Sequence, residues 1–347
     1  MDPLAHTLFG AALADAGLKR ASRYATAALL IGANLPDVDV VAQFWGADTA
    51  LYLRRGWTHG VLAMAALPLL LTGAILLWHR WRGGKRSADM ALHAGPLLAV
   101  GCVAVWSHPL LDWLNTYGVR LLMPFDRRWF YGDTLFIVDP WVWLMLAAGV
   151  VMARSATRRA KLGWLLLGAG TTYLVLTRDL PAGVGLAWCV GLLAIVWLRW
   201  RVSIEHAAAS ARFGVLAAVL YGVALFGLAR HAEAVAAERY PGVQDAQANP
   251  MPGVPFRHRV VLAHADRYRV IGPDGSVLEF ERRPADAVVR RALADPSIRG
   301  FANWTRFPWW QVEAAPGGWR VRFYDLRYAR PGSGGGIGLA EVVVRDR

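Results

Sequence analysis

Long apolar runs, broken by short clusters of charge, fill the first two thirds of the chain. Six of them approach or reach the ~20 residues that carry a helix across a bilayer: 60–78, 90–111, 138–153, 162–177, 182–200 and 213–229. Two shorter apolar helices, about 3–17 and 22–33, come first and read as a hairpin tucked against the bundle or shallowly inserted. Beyond residue 230 the pattern changes. A polar, proline-rich stretch, YPGVQDAQANPMPGVP, leads into two segments of near alternation, HRVVLAHADRYRVIG and WRVRFYDLRYA. GPDGS punctuates them as a turn, and GLAEVVVRD reads as a last strand. The pattern predicts an all-α polytopic membrane bundle of six to eight helices over residues 1–230, a linker over 231–254, and a small β-rich (α+β) soluble domain over 255–347.

Composition sharpens this reading. Hydrophobic residues make up 56% of the 347 and charged ones only 18%, too apolar for an ordinary soluble protein. Seventeen Trp and a net charge of +13 fit a membrane protein with aromatic anchors and basic loops. The arginines are scattered between apolar blocks rather than gathered in a tract, so nucleic acid is not an expected partner. Cys102 and Cys189 each lie inside an apolar run and read as small core residues. The opening MDPLAHTLFGAALADAG has no basic n-region, so the first residues are expected to belong to the mature protein.

Lys and Arg set an orientation. Basic turns at 19–23, 79–86, 154–161 and 199–201 fall on alternate connections, which places them in the cytoplasm. The remaining connections, 35–58, 112–137 and 177–181, and everything after Arg230 are then external. The pairs Arg54/Arg55 and Arg127/Arg128 lie against this trend without reversing it.

Four short motifs carry the candidate chemistry. They are DPLAHT with His6, NLPDVD with Asp37 and Asp39, RGWTHG with His59, and SHPLLDWLNTYG with His108 and Asp112 one helical turn apart. Ionisable groups at the ends of apolar runs are costly and usually functional. The orientation was assigned without these residues, yet all six reach the same external surface. Three imidazoles and three carboxylates there are a ligand set for a divalent ion, Zn2+ first, with Mn2+ or Fe2+ as alternatives. Water on such an ion drops in pKa toward ~7 and becomes a nucleophile. Asp39 is the candidate catalytic carboxylate, as ligand, orienter or general base. The external segment FDRRWFYGDTLFIVDPW reads as an interfacial loop or as substrate contact, with Arg127 and Arg128 pairing a phosphate or other anion and Asp133 or Asp139 completing the metal shell. The helix after Asp112 contains Asn115 and Tyr117, which read as terminators.

At these residues the sequence resembles the YdjM-like family, described as inner-membrane-associated metal-dependent hydrolases. MDPLAHTLFGAALADAG, GANLPDVD, RGWTHG and SHPLLDWLNTYGVRLLMPFDRRWFYGDTLFIVDPW carry the likeness, over about 1–141. The resemblance implies a multi-pass bacterial membrane protein with a metal site at His6, Asp37, Asp39, His59, His108 and Asp112. Gly60 departs from it, standing where a serine is expected after the Thr-His pair.

Together these point to a metal-dependent hydrolase of the bacterial inner membrane, cleaving an ester or phosphoester at the outer face. A site at the lipid–water boundary suggests membrane lipid as partner and a lipid or lipid-linked substrate. The rival reading is a metal-stabilised scaffold whose external domain binds an envelope partner. A transporter is disfavoured, because the helices after Val138 carry almost no polar groups at mid-membrane. Substrate, number of ions and oligomeric state are not encoded legibly.

Overall fold

The computed structural model describes residues 1–83, 90–201, 203–332 and 336–345. The basic turn 79–86 and the glycine-rich loop 332–336 therefore lie partly outside the described residues. Within them are eleven α-helices and seven strands. The chain divides into two units.

Unit one comprises Met1–Val38, Arg55–Phe226 and Pro252–Pro255. Its helices are α1 (Pro3–Ala16), α2 (Ala25–Gly32), α4 (Val61–Trp81), α5 (Ala94–Trp113), α6 (Pro140–Arg154), α7 (Arg158–Leu176), α8 (Ala182–Arg201) and the first part of α9 (Ala207–Arg239). The helix α3 (Ala47–Leu53) belongs to unit two. Five segments are long and apolar enough to cross a membrane: Ala25–Trp45, α4, α5, α8 and α9. The first is longer than the apolar pattern suggests, because α2 is followed by an 11-residue 3-10 helix, Leu35–Trp45. The helix α6 has only 15 residues, and α7 starts with Arg158, Arg159 and Lys161, so neither joins that set.

Two repeated dipeptides start helices. Asp2-Pro3 and Asp139-Pro140 each place a carboxylate at the N-cap and a proline in the first turn. Trp143 on α6 donates its indole N–H to Asp2 at 3.0 Å and so ties α6 to the start of α1. The core of this unit packs Leu8, Ala12, Trp143, Leu146 and Trp188. Close approach of α6 to α9 requires Gly149, where a Cβ would lie 2.6 Å from the Ala211 Cα.

Both α4 and α5 contain a proline, Pro68 and Pro109. Pro68 has no N–H to give the Met64 carbonyl one turn back. Trp106 on α5 fills that vacancy, its indole N–H donating to the Met64 oxygen at 2.8 Å. In hydrocarbon a freed carbonyl needs such a partner.

Unit two comprises Asp39–Arg54, Gly227–Met251 and Phe256–Arg347. A four-stranded sheet runs in the order β1 (Asp245–Met251), β2 (Val254–Ala263), β3 (Arg267–Ile271), β4 (Val277–Glu281), with β2–β3 and β3–β4 antiparallel. A three-stranded antiparallel sheet runs β5 (Pro308–Ala315), β6 (Gly318–Asp325), β7 (Leu339–Arg345). Two short helices, α10 (Ala287–Leu293) and α11 (Arg299–Trp304), complete it, with Val289, Phe301, Val321 and Phe323 in one core. Within this unit α3 packs on α11, and the Asp48 carboxylate accepts the Gly300 and Phe301 N–H groups at 2.8 and 2.9 Å. The buried Asp325 carboxylate accepts from the Arg327 guanidinium at 2.8 Å and from the Arg306 N–H at 2.9 Å, while Arg327 lies over the Trp304 ring.

Candidate metal centre

Four helix ends deliver the site. His6 sits in the second turn of α1, Asp37 opens the 3-10 helix after α2, His59 immediately precedes the N-cap Gly60 of α4, and His108 and Asp112 lie near the end of α5. His6, His59, His108 and Asp112 are fully buried, and Asp37 is 11% exposed. Ligand atoms of Asp37, His59, His108 and Asp112 all lie within 4.8 Å of one another.

The imidazoles are oriented from behind. His108 Nδ1 lies 2.6 Å from the Ala33 carbonyl at the end of α2. A carbonyl only accepts, so that nitrogen carries the proton and Nε2 is a bare lone pair. His59 Nδ1 lies 2.9 Å from the Thr58 hydroxyl, which can donate or accept. Consequently His59 can adopt either tautomer without losing its partner. The two Nε2 atoms face one another at 3.2 Å. Asp112 Oδ2 is 3.3 Å from His59 Nε2 and 3.6 Å from His108 Nε2, and Asp37 Oδ1 is 3.7 Å from His108 Nε2. Donors ~2.0–2.1 Å from a tetrahedral ion stand roughly 3.3 Å apart. The four residues therefore fit one divalent ion, with Asp37 on the side that solvent reaches.

His6 joins the cluster as a neighbour. Its ring stacks on His108 at 3.8 Å between centroids, and its Nε2 is 3.3 Å from Asp112 Oδ1. The Met1 amino group also touches Asp112 Oδ1.

Arg55 is the residue that sequence reasoning passed over. Its backbone is left-handed at φ 53°, unusual for a residue with a Cβ. The buried guanidinium reaches Asp112 Oδ2 at 2.8 Å, Asn115 Oδ1 at 2.9 Å and the Gly118 carbonyl at 3.2 Å, and it lies over the Tyr117 ring. Asn115 and Tyr117 thus build the site's wall as well as ending the helix. A signal was present: an arginine inside RGWTHG, on a segment otherwise poor in basic residues. The segment after Asp112 folds back to close α5, with the Gly132 N–H donating to the Trp113 carbonyl at 2.7 Å and the Thr134 N–H to the Leu114 carbonyl at 2.8 Å.

Gly60 has a local reason. A Cβ there would stand 2.2 Å from the Met123 carbonyl oxygen, so this chain has no room for the serine the family pattern leads one to expect.

The other candidate residues are outside this four-residue group. Asp39 belongs to unit two, where it faces Arg54 at 3.4 Å. Arg127 and Arg128 are exposed, and Arg128 pairs with Asp126. Asp133 is buried with φ 49° and is outside the four-residue group. Asp139 is spent on capping α6, accepting the Trp141 and Val142 N–H groups at 2.9 and 3.1 Å and the Tyr221 hydroxyl at 3.0 Å.

A family model described as YdjM inner membrane protein matches residues 1–181, more than half of the chain and all of the cluster. The chain belongs to this family. It is also similar to the "Uncharacterized protein YfhP" of Bacillus subtilis (strain 168), 24% identical over 347 residues that cover 96% of this chain and 88% of that protein. No solved structure matches. Family and apolar helices agree on a membrane protein with a buried His/Asp group able to hold a metal ion.

Proposed function

We propose that the chain is a metal-dependent hydrolase embedded in the bacterial inner membrane, acting on an ester or phosphoester of a lipid or lipid-linked substrate at the outer face. The meeting of His59, His108, Asp37 and Asp112 from three separate stretches of chain carries this reading. A divalent ion there, Zn2+ by donor type, supplies a Lewis acid and an activated water at neutral pH. His108 and His59 would hold it through Nε2, and Asp112 and Asp37 through carboxylate oxygens. Arg55 offsets the charge of Asp112 and locks its rotamer. His6 braces the His108 ring plane by stacking.

Two observations support a lipid substrate and its side of entry. An apolar cavity of about 360 Å3 in unit one is lined by Met1, Ala5, Ser107 and Leu111, each a near neighbour in sequence of a cluster residue. Hydrocarbon fits such a lining. The alternation of basic turns supports placing the cluster externally. The complete burial of His59, His108 and Asp112 favours a second reading, a closed structural ion in a non-catalytic scaffold that binds an envelope partner.

Elemental analysis of the purified full chain beside His108→Ala, followed by turnover of lipid esters and phosphoesters with and without chelator, separates these. The hydrolase reading expects about one ion per chain, lost in the variant, and chelator-sensitive cleavage. Equal metal content in both proteins removes the centre. Metal that stabilises the fold while no lipid ester is cleaved leaves the scaffold.

A further inference from the structure

A second cavity in unit one, about 450 Å3, lies among α1, α6, α7 and α8 and shares no lining residue with the ion cluster. Along α6 its wall runs over Trp143, Leu144, Ala147 and Val151 and reaches Ser155 at the C-cap, about 18 Å at ~1.5 Å per residue. That length is close to the depth of one leaflet, half of a ~30 Å hydrocarbon core. Leu4, Leu8, Trp188 and Ile195 continue the apolar lining.

Charge is confined to one end, while Thr171 and Thr172, which also line the cavity, give their hydroxyls to the Leu167 and Gly168 carbonyls. Ser155, Lys161 and Arg199 line the charged end, at the end of α6, in the first turn of α7 and in the last turn of α8. Arg199 gives its Nε–H to the Ser155 hydroxyl at 2.6 Å and pairs with no carboxylate among the described residues. Lys161 likewise forms no ion pair among them. Asp15, the partner of Arg154 beside Ser155, is engaged by Lys19 at 3.1 Å and Arg154 at 2.6 Å. Two uncompensated cations at the mouth of a leaflet-deep apolar cavity are complementary to one kind of molecule: a negatively charged head on a hydrocarbon tail.

We propose that this cavity binds an anionic phospholipid from the leaflet on the Lys161 side. Its phosphate pairs with Lys161 and Arg199, and one acyl chain lies along α6 between Trp143 and Ser155. The site is independent of the ion cluster and of any hydrolysis there.

Native mass spectrometry of the full chain tests this, after release from vesicles containing equal phosphatidylglycerol and phosphatidylcholine. Retained lipid should be predominantly phosphatidylglycerol. The double variant Lys161→Ala/Arg199→Ala should weaken its retention about 25-fold, roughly fivefold per cation, and abolish the preference over phosphatidylcholine. Gly168 lines the same cavity, and no atom lies within 4 Å of a Cβ placed there, so Gly168→Leu should fold and also displace the lipid by filling the space. Lys161→Arg should bind as the parent does. Equal retention of the two lipids, or wild-type retention in the double variant or in Gly168→Leu, overturns the proposal. So does displacement by glycerol phosphate as effective as by a short-chain phosphatidylglycerol, since the tail would then contribute nothing. Should the double variant fail to fold, Gly168→Leu and Lys161→Gln decide the matter alone.

Discussion

His59 and His108 point their Nε2 atoms at each other across 3.2 Å, with His108 Nδ1 already committed to the Ala33 carbonyl. Two lone pairs cannot face at that distance without a cation between them. In the ion-free chain a single proton fills the gap, on His59 Nε2, and the Thr58 hydroxyl donates to His59 Nδ1. When an ion takes the gap, that proton moves to Nδ1 and the hydroxyl turns round to accept it. The site can therefore accommodate a metal by shifting one proton from one nitrogen of His59 to the other, without moving a heavy atom.

Thr58→Val removes the group that follows this shift while keeping the side-chain shape. Metal affinity should fall about 10- to 100-fold, the range for loss of a partner behind a ligating histidine. Titration of the apo protein with Zn2+ against a competing chelator measures it. An unchanged affinity would mean that Thr58 does not set the tautomer.

Arg55→Met should act differently on the two forms. In the metal-free protein Asp112 loses one of its two buried cationic partners, keeping the Met1 amino group, so the change should approach but not exceed the about 3–5 kcal/mol of a fully broken buried pair. With the ion bound, Asp112 keeps a second cation, so the loss is smaller. Thermal unfolding of both forms in detergent checks this, and an equal drop in each would rule it out.

Gly60→Ser should destabilise the fold by about 1–3 kcal/mol, the usual scale of overpacking, because the new Cβ meets the Met123 carbonyl at 2.2 Å. The substitution should therefore lower the unfolding midpoint. A midpoint at or above that of the parent would show that the loop gives way freely.

Acid should loosen unit two around Asp325. Burial alone would raise its carboxyl, but the Arg327 guanidinium and the hydrogen bonds from Arg327 and Arg306 outweigh burial and hold it below the ordinary carboxylate value. A depressed folded-state value means the stabilisation is fully present above about pH 3.9, the unfolded value, and is lost as pH falls through the lower folded one. Hydrogen exchange across β5–β7, corrected for intrinsic rates, should show protection steady from neutral pH to about 4 and falling below it. Asp325→Asn strands Arg327 and should cost about 3–5 kcal/mol at neutral pH. Protection insensitive to both acid and this substitution would contradict the pairing.

Much of this architecture is written in periodicity. The spans α4, α5, α8 and α9 are single apolar runs, and β3 and β4 flank the GPDGS turn as expected. The cluster was legible for the same reason: His59, His108 and Asp112 interrupt or end runs where nothing polar belongs. Arg55 was not, because its partners Asn115, Tyr117 and Gly118 come from 60 or more residues away and only the folded loop brings them. Asp139 reads as a ligand only while the Asp-Pro before an apolar run is overlooked as a capping signal, the same one that starts α1. The strand β1, DAQANPM, has the composition of a linker. Its polar side chains are buried by specific partners, such as Asn249 Nδ2 donating to the Arg327 carbonyl at 2.7 Å, and composition cannot foresee those.

The indole of Trp106 on the Met64 carbonyl has a consequence for the ion. Sliding α5 past α4 by one turn would leave that oxygen bare in oil, so the two helices keep a fixed axial offset. His59, just ahead of α4, and His108 on α5 inherit that offset and meet whether or not anything lies between them. Such a rigid gauge spends little of an ion's binding energy on assembling its own cage, which leaves that energy for discriminating one ionic radius from another.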